Sequence, residues 1–227
     1  MLADIEQHGG VEELWCLGDM VDYGSDHTRC LELLQQYKHV CVAGNHDLAA
    51  LGKIDTSYFN PDAAEANGWT AERLTVEDRE YLGNLPLVVS RDEFTLVHGS
   101  PRDSIQEYIL STGIAGENFA FFQSQLCLVG HSHVPCVFQL DEETGICSLV
   151  KVSSSIGLNL GKNRLIINPG GVGQPRDGNP RASYVIYDSE AGIVGFHRVN
   201  YDIEATQDKM IRGGLPTSLV TRLSYGI

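Results

Sequence analysis

The sequence predicts an α/β protein of the α+β kind, with helices flanking more than one β-sheet. Two short apolar runs, residues 14–17 (LWCL) and 40–43 (VCVA), are typical of buried strands, and the helical pattern CLELLQQY lies between them. This order of strand, helix and strand predicts a parallel pair, because parallel strands need a long crossover connection. From Pro135 onward the apolar runs are joined by short polar turns, as in VFQL, DEETG and SLVKV, which favours a second, mainly antiparallel sheet.

The other elements follow in chain order. The opening MLADIEQHGG predicts a helix that ends before Gly9 and Gly10, because glycine tolerates the left-handed backbone found where helices end. Residues 48–85 form a polar, helical segment, in which Thr75 and Asp78 have the spacing of a capping box. The runs LPLVV, FTLVHG and LCLVGH predict short strands, and RLIIN, ASYVIYD and IVGFHRV predict strands of the second sheet.

The chain as a whole has the pattern of a single domain. Residues 203–227 predict two short helices separated by the segment RGGLP. The apolar content of 42% with 20% charged residues is ordinary for a globular protein. No internal repeat, low-complexity tract or linker interrupts the sequence, so one domain over residues 1–227 is expected.

The charge and the cysteines limit the partners and the compartment. Thirty acidic residues against 16 basic ones give a formal net charge of -14, which repels polyanions, so nucleic acid is not expected as a partner. The six cysteines are scattered, lack a CxxC pair and lie mostly in apolar runs, which is typical of reduced thiols. No run has a membrane-spanning length, and the first residues lack the pattern of a signal peptide. A cytoplasmic protein that does not enter a membrane is therefore expected, while the oligomeric state stays open.

Four of the eight histidines come directly after strand-like apolar runs: His46 in GNHD, His98 in LVHGS, and His131 and His133 in VGHSHVP. The carboxyl ends of parallel strands meet at one edge of a sheet, and in α/β proteins this edge forms the ligand sites. We therefore expect the polar residues after these runs to lie together. The expected set is Asp19, Asn45, His46, Asp47, His98, His131 and His133.

This set indicates a site for divalent metal ions, since imidazole nitrogen and carboxylate oxygen bind manganese, iron and zinc. His131 and His133 lie two residues apart, so on an extended segment both rings point the same way and each could bind one ion. A single histidine after a strand is more often a cap or a core residue, but ligand-type residues at four strand ends are hard to explain as a coincidence. The other histidines lack such neighbours and are interpreted as surface or packing residues: His8, His27, His39 and His197.

Four motifs, GDMVDYG, GNHD, VHGS and GHSHVP, occur in this order and resemble the successive metal-binding motifs of the calcineurin-like metallophosphoesterases. The later stretch NPGGVGQPRDGNPRASYVIYD resembles the bacterial and archaeal branch of that family often described as predicted phosphodiesterases. The likeness covers residues 11–187. It implies a four-layer αββα sandwich, in which two mixed β-sheets are flanked by helices.

The resemblance also implies metal ligands, with two divalent ions (manganese, iron, zinc or nickel) as cofactors. Asp19 would bridge both ions, and His133 would bind the first ion. The second ion would be held by Asn45, His98 and His131. Together the ions would activate a water molecule for in-line attack on phosphorus.

His46 and Asp47 are the implied catalytic residues. His46 would lie near the substrate and stabilise charge or protonate the leaving oxygen, while Asp47 would orient its ring. From the residues alone, Asp47 could instead cap the helix predicted for DLAALGK. Arg176 and Arg181, in the turn PRDGNPR, could contact phosphate or belong to a solvated loop.

The sequence departs from the family pattern at its start. Family members begin with a strand that ends in an Asp-x-His motif and supplies two ligands of the first ion, and no Asp-x-His occurs in residues 1–227. We expect this first strand to be missing because Met1 is a wrongly chosen or internal start within the first helix. A true truncation of the domain is the alternative.

The predicted function is metal-dependent hydrolysis of small phosphate esters, above all phosphodiesters. Three alternatives stay open. GDMVDYG bears some likeness to Ser/Thr phosphoprotein phosphatases, although those carry Arg at the position of Tyr23 and GNHE in place of GNHD. Dinucleoside polyphosphate hydrolases use similar motifs, and a non-catalytic metal-binding scaffold would result from a true loss of the first motif.

Overall fold

The structure, a computed structural model, describes residues 1–152 and 157–227. Eight α-helices and one short 3-10 helix (Phe119–Phe121) lie in these ranges. The α-helices are α1 (Leu2–Gln7), α2 (His27–Leu34), α3 (Asn45–Ala50), α4 (Pro61–Ala71), α5 (Val76–Gly83), α6 (Thr112–Asn118), α7 (Ile203–Gly213) and α8 (Thr217–Arg222).

Eleven strands in the described ranges form three hydrogen-bonded sheets. The strands are β1 (Leu14–Cys16), β2 (His39–Cys41), β3 (Val88–Arg91), β4 (Phe94–Val97), β5 (Leu126–Leu128), β6 (Cys136–Leu140), β7 (Cys147–Val150), β8 (Leu158–Asn159), β9 (Arg164–Asn168), β10 (Ala182–Asp188) and β11 (Ile193–Val199). The largest sheet has the order β3-β4-β5-β9-β6-β7, with β4, β5 and β9 parallel and the other neighbours antiparallel. β1 and β2 form a parallel pair, and β10, β11 and β8 form an antiparallel sheet.

The predicted fold class is confirmed, because helices flank several sheets of parallel and antiparallel strands. The predicted parallel pair is β1 with β2, connected through α2. The allocation of the later strands differs from the expected second sheet. β9 pairs with β5, β6 pairs with β9 and β7 pairs with β6, so all three belong to the sheet of β4 and β5. Four of the five residues of β9 are buried, and such a continuous apolar run suits the interior of a sheet covered on both faces. Turn patterns show which strands form a hairpin, but they do not show which sheet the hairpin joins.

Side chains from all three sheets contribute to one hydrophobic cluster, in which Trp15 of β1 packs beside Leu96 of β4 and Phe196 of β11. The sheets are therefore stacked face to face. Residues along a strand point to alternate faces, so the residue after Leu96, Val97, belongs to a second cluster that includes Ala115 of α6. The six-stranded sheet thus lies between the two smaller sheets on one face and α6 on the other.

Local signals set the helix ends as predicted. α1 is followed by Gly9 and Gly10, whose φ angles are 101° and 78°. At the start of α5, the hydroxyl of Thr75 accepts the N–H of Asp78 at 3.0 Å, and the Asp78 carboxylate accepts the N–H of Thr75 at 3.1 Å. This is the predicted capping box, and α7 and α8 are the two predicted C-terminal helices. None of the helices in the described ranges combines the length and the apolar composition that a membrane span needs.

The capping box of α5 offers a direct test of these local signals. Thr75→Ala removes the hydroxyl that accepts the Asp78 N–H, so we expect the free energy of unfolding to fall by about 1 kcal/mol in urea titrations. Thr75 is exposed, so the change removes no buried packing. Thr75→Ser keeps the hydroxyl and should cost at most about 0.5 kcal/mol. Equal losses in the two variants would contradict the cap as the cause.

Candidate metal centre

Polar side chains from four chain segments meet at one end of the stacked sheets. Asp19 lies in the loop after β1, and Asn45 is the first residue of α3, which follows β2. His98 follows β4, and His131 follows β5. Two of these segments leave the two-stranded sheet and two leave the six-stranded sheet, so the cluster forms where the two sheets face each other.

These four residues place nitrogen and oxygen atoms around a common point. Nε2 of His98 lies 3.0 Å from Oδ1 of Asn45 and 3.1 Å from Nδ1 of His131. The same nitrogen lies 3.2 Å from Oδ2 of Asp19. Donor atoms at about 2.0–2.2 Å from one ion are separated by about 3.0–3.5 Å, so these spacings fit ligands of a single cation.

Each histidine of the GHSHVP and VHGS motifs uses one ring nitrogen to fix the ring. A carbonyl oxygen can only accept, so that nitrogen donates, and the other nitrogen of the neutral ring keeps a free lone pair. Metal-binding histidines show this arrangement. The three bonds run from Nδ1 of His98 to the carbonyl of Leu17 (2.6 Å), from Nε2 of His131 to that of Gln106 (3.2 Å) and from Nδ1 of His133 to that of Gln174 (2.7 Å).

The surroundings keep two of these rings neutral. Burial and the neighbouring His98 lower the pKa of His131 to about 4. Burial and the Arg176 guanidinium lower the pKa of His133 to about 3. Neutral imidazole is the form that binds a metal, so protons do not compete with a cation for these two rings near neutral pH.

The carboxylate of Asp19 has one oxygen without a partner. Its Oδ1 accepts the N–H of His46 at 2.9 Å, while the buried Oδ2 has no hydrogen-bond partner in the described part of the chain. Burial alone would raise the pKa of Asp19, but His98 and His46 outweigh it and hold the pKa well below its usual range. When the ring of His98 is neutral and its Nδ1 carries the proton, its Nε2 and Oδ2 of Asp19 face each other at 3.2 Å without a hydrogen between them. Such a buried carboxylate oxygen is costly, so the donor set fits a bound cation.

Three of the expected ligands have a left-handed backbone that L-amino acids rarely adopt. The φ angles of Asp19, His131 and His133 are 54°, 60° and 58°. Each such residue costs about 1–3 kcal/mol, and such strain is concentrated at functional sites. Gly18 and Gly44 let the two loops approach, since a Cβ on Gly18 would lie 2.6 Å from the amide nitrogen of Gly44, and one on Gly44 would overlap the Asp19 carboxylate.

Asp47 has a different contact from the one expected. Its buried carboxylate lies at the third position of α3 and binds backbone N–H groups, so the expectation that it orients the ring of His46 is corrected. The alternative interpretation as a helix cap matches the structure. The same carboxylate also ties the loop after β1 to α3. The four donors are Asp19 (2.8 Å), Met20 (2.9 Å), Val21 (3.2 Å) and Gly44 (2.9 Å).

The ring of His46 is held by Asp22, which sequence reasoning missed. Nδ1 of His46 donates to Oδ2 of Asp22 at 2.6 Å, and Nδ2 of Asn67 donates to the same oxygen at 3.0 Å. Burial alone would lower the pKa of His46, but the carboxylates of Asp19 and Asp22 outweigh it and raise the pKa. The membership of Asp22 in the motif GDMVDYG was the signal available in the sequence.

Aromatic rings border the cluster. The ring of Tyr108 stacks on that of His131, with centroids 3.8 Å apart. The rings of Tyr23 and Phe59 lie 4.6 Å and 5.0 Å from the ring of His46. A ligand that reaches the cluster would therefore meet flat apolar surfaces beside the polar atoms.

Of the two arginines in the PRDGNPR turn, Arg176 lies at the site. Its Nη2 donates to the hydroxyl of Tyr23 at 3.4 Å and to Oε1 of Gln174 at 2.9 Å. Arg181 is exposed, and its Nε donates to Oδ1 of Asn179 at 3.1 Å. Arg176 is therefore the guanidinium that can face an anionic ligand here.

Comparison with known proteins connects the chain with one family. The model described as "Calcineurin-like phosphoesterase superfamily domain" matches residues 1–192. The uncharacterised protein MJ0912 of Methanocaldococcus jannaschii is 36% identical over 231 residues, which cover 100% of this chain and 91% of that protein.

Solved structures show the same architecture. A metallophosphoesterase from Sphaerobacter thermophilus is 44% identical with a TM-score of 0.89, over 99% of this chain and 92% of that chain. The hypothetical protein PH1004 from Pyrococcus horikoshii OT3 has a TM-score of 0.77 at 18% identity, over 99% of this chain and 90% of that chain. The second likeness concerns the fold alone.

The lowered pKa of His131 makes the stability of the metal-free protein depend on pH. The unfolded histidine has a pKa of about 6.5, so stability is lost as the pH falls from there towards the folded pKa of about 4. His131→Gln does not titrate. We therefore expect the difference in unfolding free energy between wild type and this variant to shrink by about 2 kcal/mol from pH 7 to pH 5.

Urea unfolding in the presence of a chelator measures this difference. Ser132→Ala is the control, because it removes an adjacent buried polar group that does not titrate, and its difference from wild type should be the same at both pH values. A constant difference for His131→Gln would show that the ring is not held neutral.

Proposed function

Because this chain belongs to the calcineurin-like phosphoesterase superfamily, we propose that it hydrolyses small phosphate esters, above all phosphodiesters, with water as the nucleophile. The cofactors in this proposal are two divalent metal ions, and nitrogen and oxygen donors suit manganese, iron, zinc or nickel. The preference for diesters rests on the resemblance of the NPGGVGQPRDGNPRASYVIYD stretch.

The observation that carries the proposal is the set of donor atoms around Nε2 of His98. One ion would be held by Asp19, Asn45, His98 and His131, and the unpaired Oδ2 of Asp19 supports this assignment. Nδ1 of His133 is bound to the carbonyl of Gln174, so its Nε2 would be free to hold a second ion together with Asp19. When bound, divalent ions supply the Lewis acidity that lowers the pKa of water and offsets the charge of the phosphoryl oxygens.

The chain's own residues would move the proton and bind the ester. Because Nδ1 of His46 is bound to Asp22, we assign to Nε2 of His46 the proton that is donated to the leaving oxygen. The raised pKa of His46 favours this protonated form. The guanidinium of Arg176 would bind a phosphoryl oxygen. Asp47 is a positioning residue in this scheme, since it holds the loop that carries Asp19.

The borders of the site suit a substrate with a flat group on the phosphate. Tyr23, Phe59 and Tyr108 lie beside the two histidine rings, and Tyr108 is 41% exposed. Rings of this kind bind aromatic or nucleoside groups by stacking. The phosphodiester assignment would be wrong if the chain hydrolysed another substrate faster than an aryl diester. The substrates to compare are p-nitrophenyl phosphate, a phosphopeptide and diadenosine tetraphosphate.

We further propose that this activity belongs to the cytoplasm. All six cysteines lie in the described ranges as free thiols, which suits a reducing compartment. Fractionation of cells that carry the tagged chain would test this assignment.

Removal of a proposed ligand should abolish hydrolysis. Asp19→Ala and His131→Ala each delete one donor of the four-residue set, and we expect at least about a hundredfold loss in metal-dependent turnover of bis-p-nitrophenyl phosphate. His39→Gln is the control, because His39 bonds to Tyr37 and Tyr81 outside the cluster and should keep its activity.

Metal content separates catalysis from a scaffold role. Elemental analysis of the same proteins should show that both ligand variants lose bound metal. Wild-type turnover in either ligand variant would refute the assignment of the site. A wild-type chain that binds an ion and hydrolyses none of the esters would favour the non-catalytic alternative.

The contact between Asp22 and His46 should affect the rate more than substrate binding. Asp22→Asn keeps the shape of the side chain. The backbone of Asp22 has a φ of 85°, and asparagine also tolerates this conformation. The substitution removes the charge that orients the ring, so we expect kcat to fall by about 10–100-fold, with KM little changed. Asp26→Asn is the matched control, since the Asp26 carboxylate bonds to Lys209 on the surface. Equal effects in the two variants would contradict the proposed role.

A further inference from the structure

A second group of metal-ligand residues lies outside the proposed catalytic centre. Asp4 lies on α1, His8 directly follows this helix, and His197 lies on β11. Each offers one ligand atom, and the three atoms lie within 4.8 Å of one another. From the sequence, both histidines are expected to be surface or packing residues, because neither follows a strand-like run with other ligand-type residues nearby.

The spacing on α1 brings two of the ligands to one face. Residues four apart lie one above the other on a helix, so the side chains of Asp4 and His8 point the same way. The ring of His197 meets them from the neighbouring sheet, with its centroid 4.6 Å from that of His8 and the ring planes at 74°. Contacts between helix and sheet therefore assemble the group from distant parts of the chain.

Neighbouring groups hold these ligands in place. Nδ1 of His8 donates to the carbonyl of Asp4 at 2.8 Å, which leaves Nε2 of the neutral ring with a lone pair. The hydroxyl of Tyr184 donates to the Asp4 carboxylate at 2.5 Å, and the ring of Tyr184 stacks on that of His197 at 5.0 Å. Such outer contacts are those that orient ligands in metal sites.

The Asp4 carboxylate also lacks a lysine or arginine partner among the described residues. Within residues 1–152 and 157–227, its ion-pair partner is Nδ1 of His8 at 3.9 Å, rather than a lysine or an arginine. Asp4 and His197 are half-buried and His8 is exposed, so an ion could enter from solvent. The contact between the rings of His8 and His197 already joins α1 to the sheet. A bound cation would in addition neutralise the carboxylate of Asp4.

We propose that Asp4, His8 and His197 form a second divalent-cation site, which joins α1 to β11. Two imidazoles and one carboxylate suit zinc, nickel, cobalt or copper better than magnesium or calcium. Three protein ligands leave a position for water. The site shares no residue with the proposed catalytic centre, so its ion stabilises the fold and takes no part in hydrolysis.

Isothermal titration of the metal-free protein with zinc tests this site. Wild type should bind one zinc ion per chain at this site, and His8→Ala should bind that ion at least about tenfold more weakly. Glu6→Gln is the matched control, since it removes an exposed carboxylate of α1 that lies outside the group, and it should bind zinc like wild type. Hydrolysis of bis-p-nitrophenyl phosphate with manganese should be equal in His8→Ala and wild type, so failure of this site and failure of the proposed function give different results.

Zinc-soaked crystals of the wild-type protein give a measurement that needs no variant. An anomalous difference peak is expected between the ligand atoms of Asp4, His8 and His197. Wild-type zinc binding in His8→Ala, or a map without a peak at this position, would overturn the proposal. An equal loss of zinc binding in Glu6→Gln would also overturn it, because the charge of the helix would then explain the effect.

Discussion

The buried carboxylate of Asp47 is the constraint on which the proposed centre depends. It accepts four backbone N–H groups, of which three belong to residues 19–21 and one to Gly44. Burial and the neighbouring Asp19 raise the pKa of this carboxyl to about 7, and each hydrogen bond to it contributes about 0.5–1.5 kcal/mol. This set can therefore hold Asp19 in a left-handed backbone that costs about 1–3 kcal/mol. The motifs GD and GNHD thus form one structural unit, in which Asp47 of the second motif anchors the loop that carries Asp19 of the first.

The stacking of the sheets gives the site its other half. His98 and His131 follow β4 and β5, whereas Asp19 follows β1 in a different sheet. No backbone ladder joins these sheets among the described residues. The hydrophobic cluster between them, together with the hydrogen bond from His98 to the carbonyl of Leu17, therefore sets how far apart the ligands lie. Core side chains such as Leu96 therefore help to position the ligands, although they do not contact the site. Core packing and ligand spacing are consequently coupled in this protein.

The local part of this architecture could be predicted from the sequence, and the long-range part could not. The capping box at Thr75 depends on neighbouring residues, and so does the end of α1. The sheet that β9 joins depends on burial that only the folded chain defines. Motif order predicted that Asp19, Asn45, His98 and His131 lie close together, but it did not predict their contacts. Asp22 lies in the left-handed loop after β1, and the direction of its side chain brings its carboxylate to the ring of His46. The carboxylate of Asp47 binds backbone N–H groups instead. The group around His197 was missed for a related reason, since its ligands come together through contact between a helix and a sheet.

Electrostatics implies that metal ions and a phosphate ester bind in a coupled way. The chain has a formal net charge of -14, Asp19 is held ionised, and the rings of His131 and His133 are kept neutral. Without cations, the guanidinium of Arg176 opposes this negative field, and the raised pKa of His46 favours a second positive charge. Bound divalent ions would reverse the local charge, because they would be the largest charges in such a site. Thermodynamic linkage makes this effect reciprocal. If bound metal ions raise the affinity for the phosphate ester, the bound ester raises the affinity for the metal ions by the same factor. The same acidic surroundings that would repel a phosphate ester thus favour the cations that attract it.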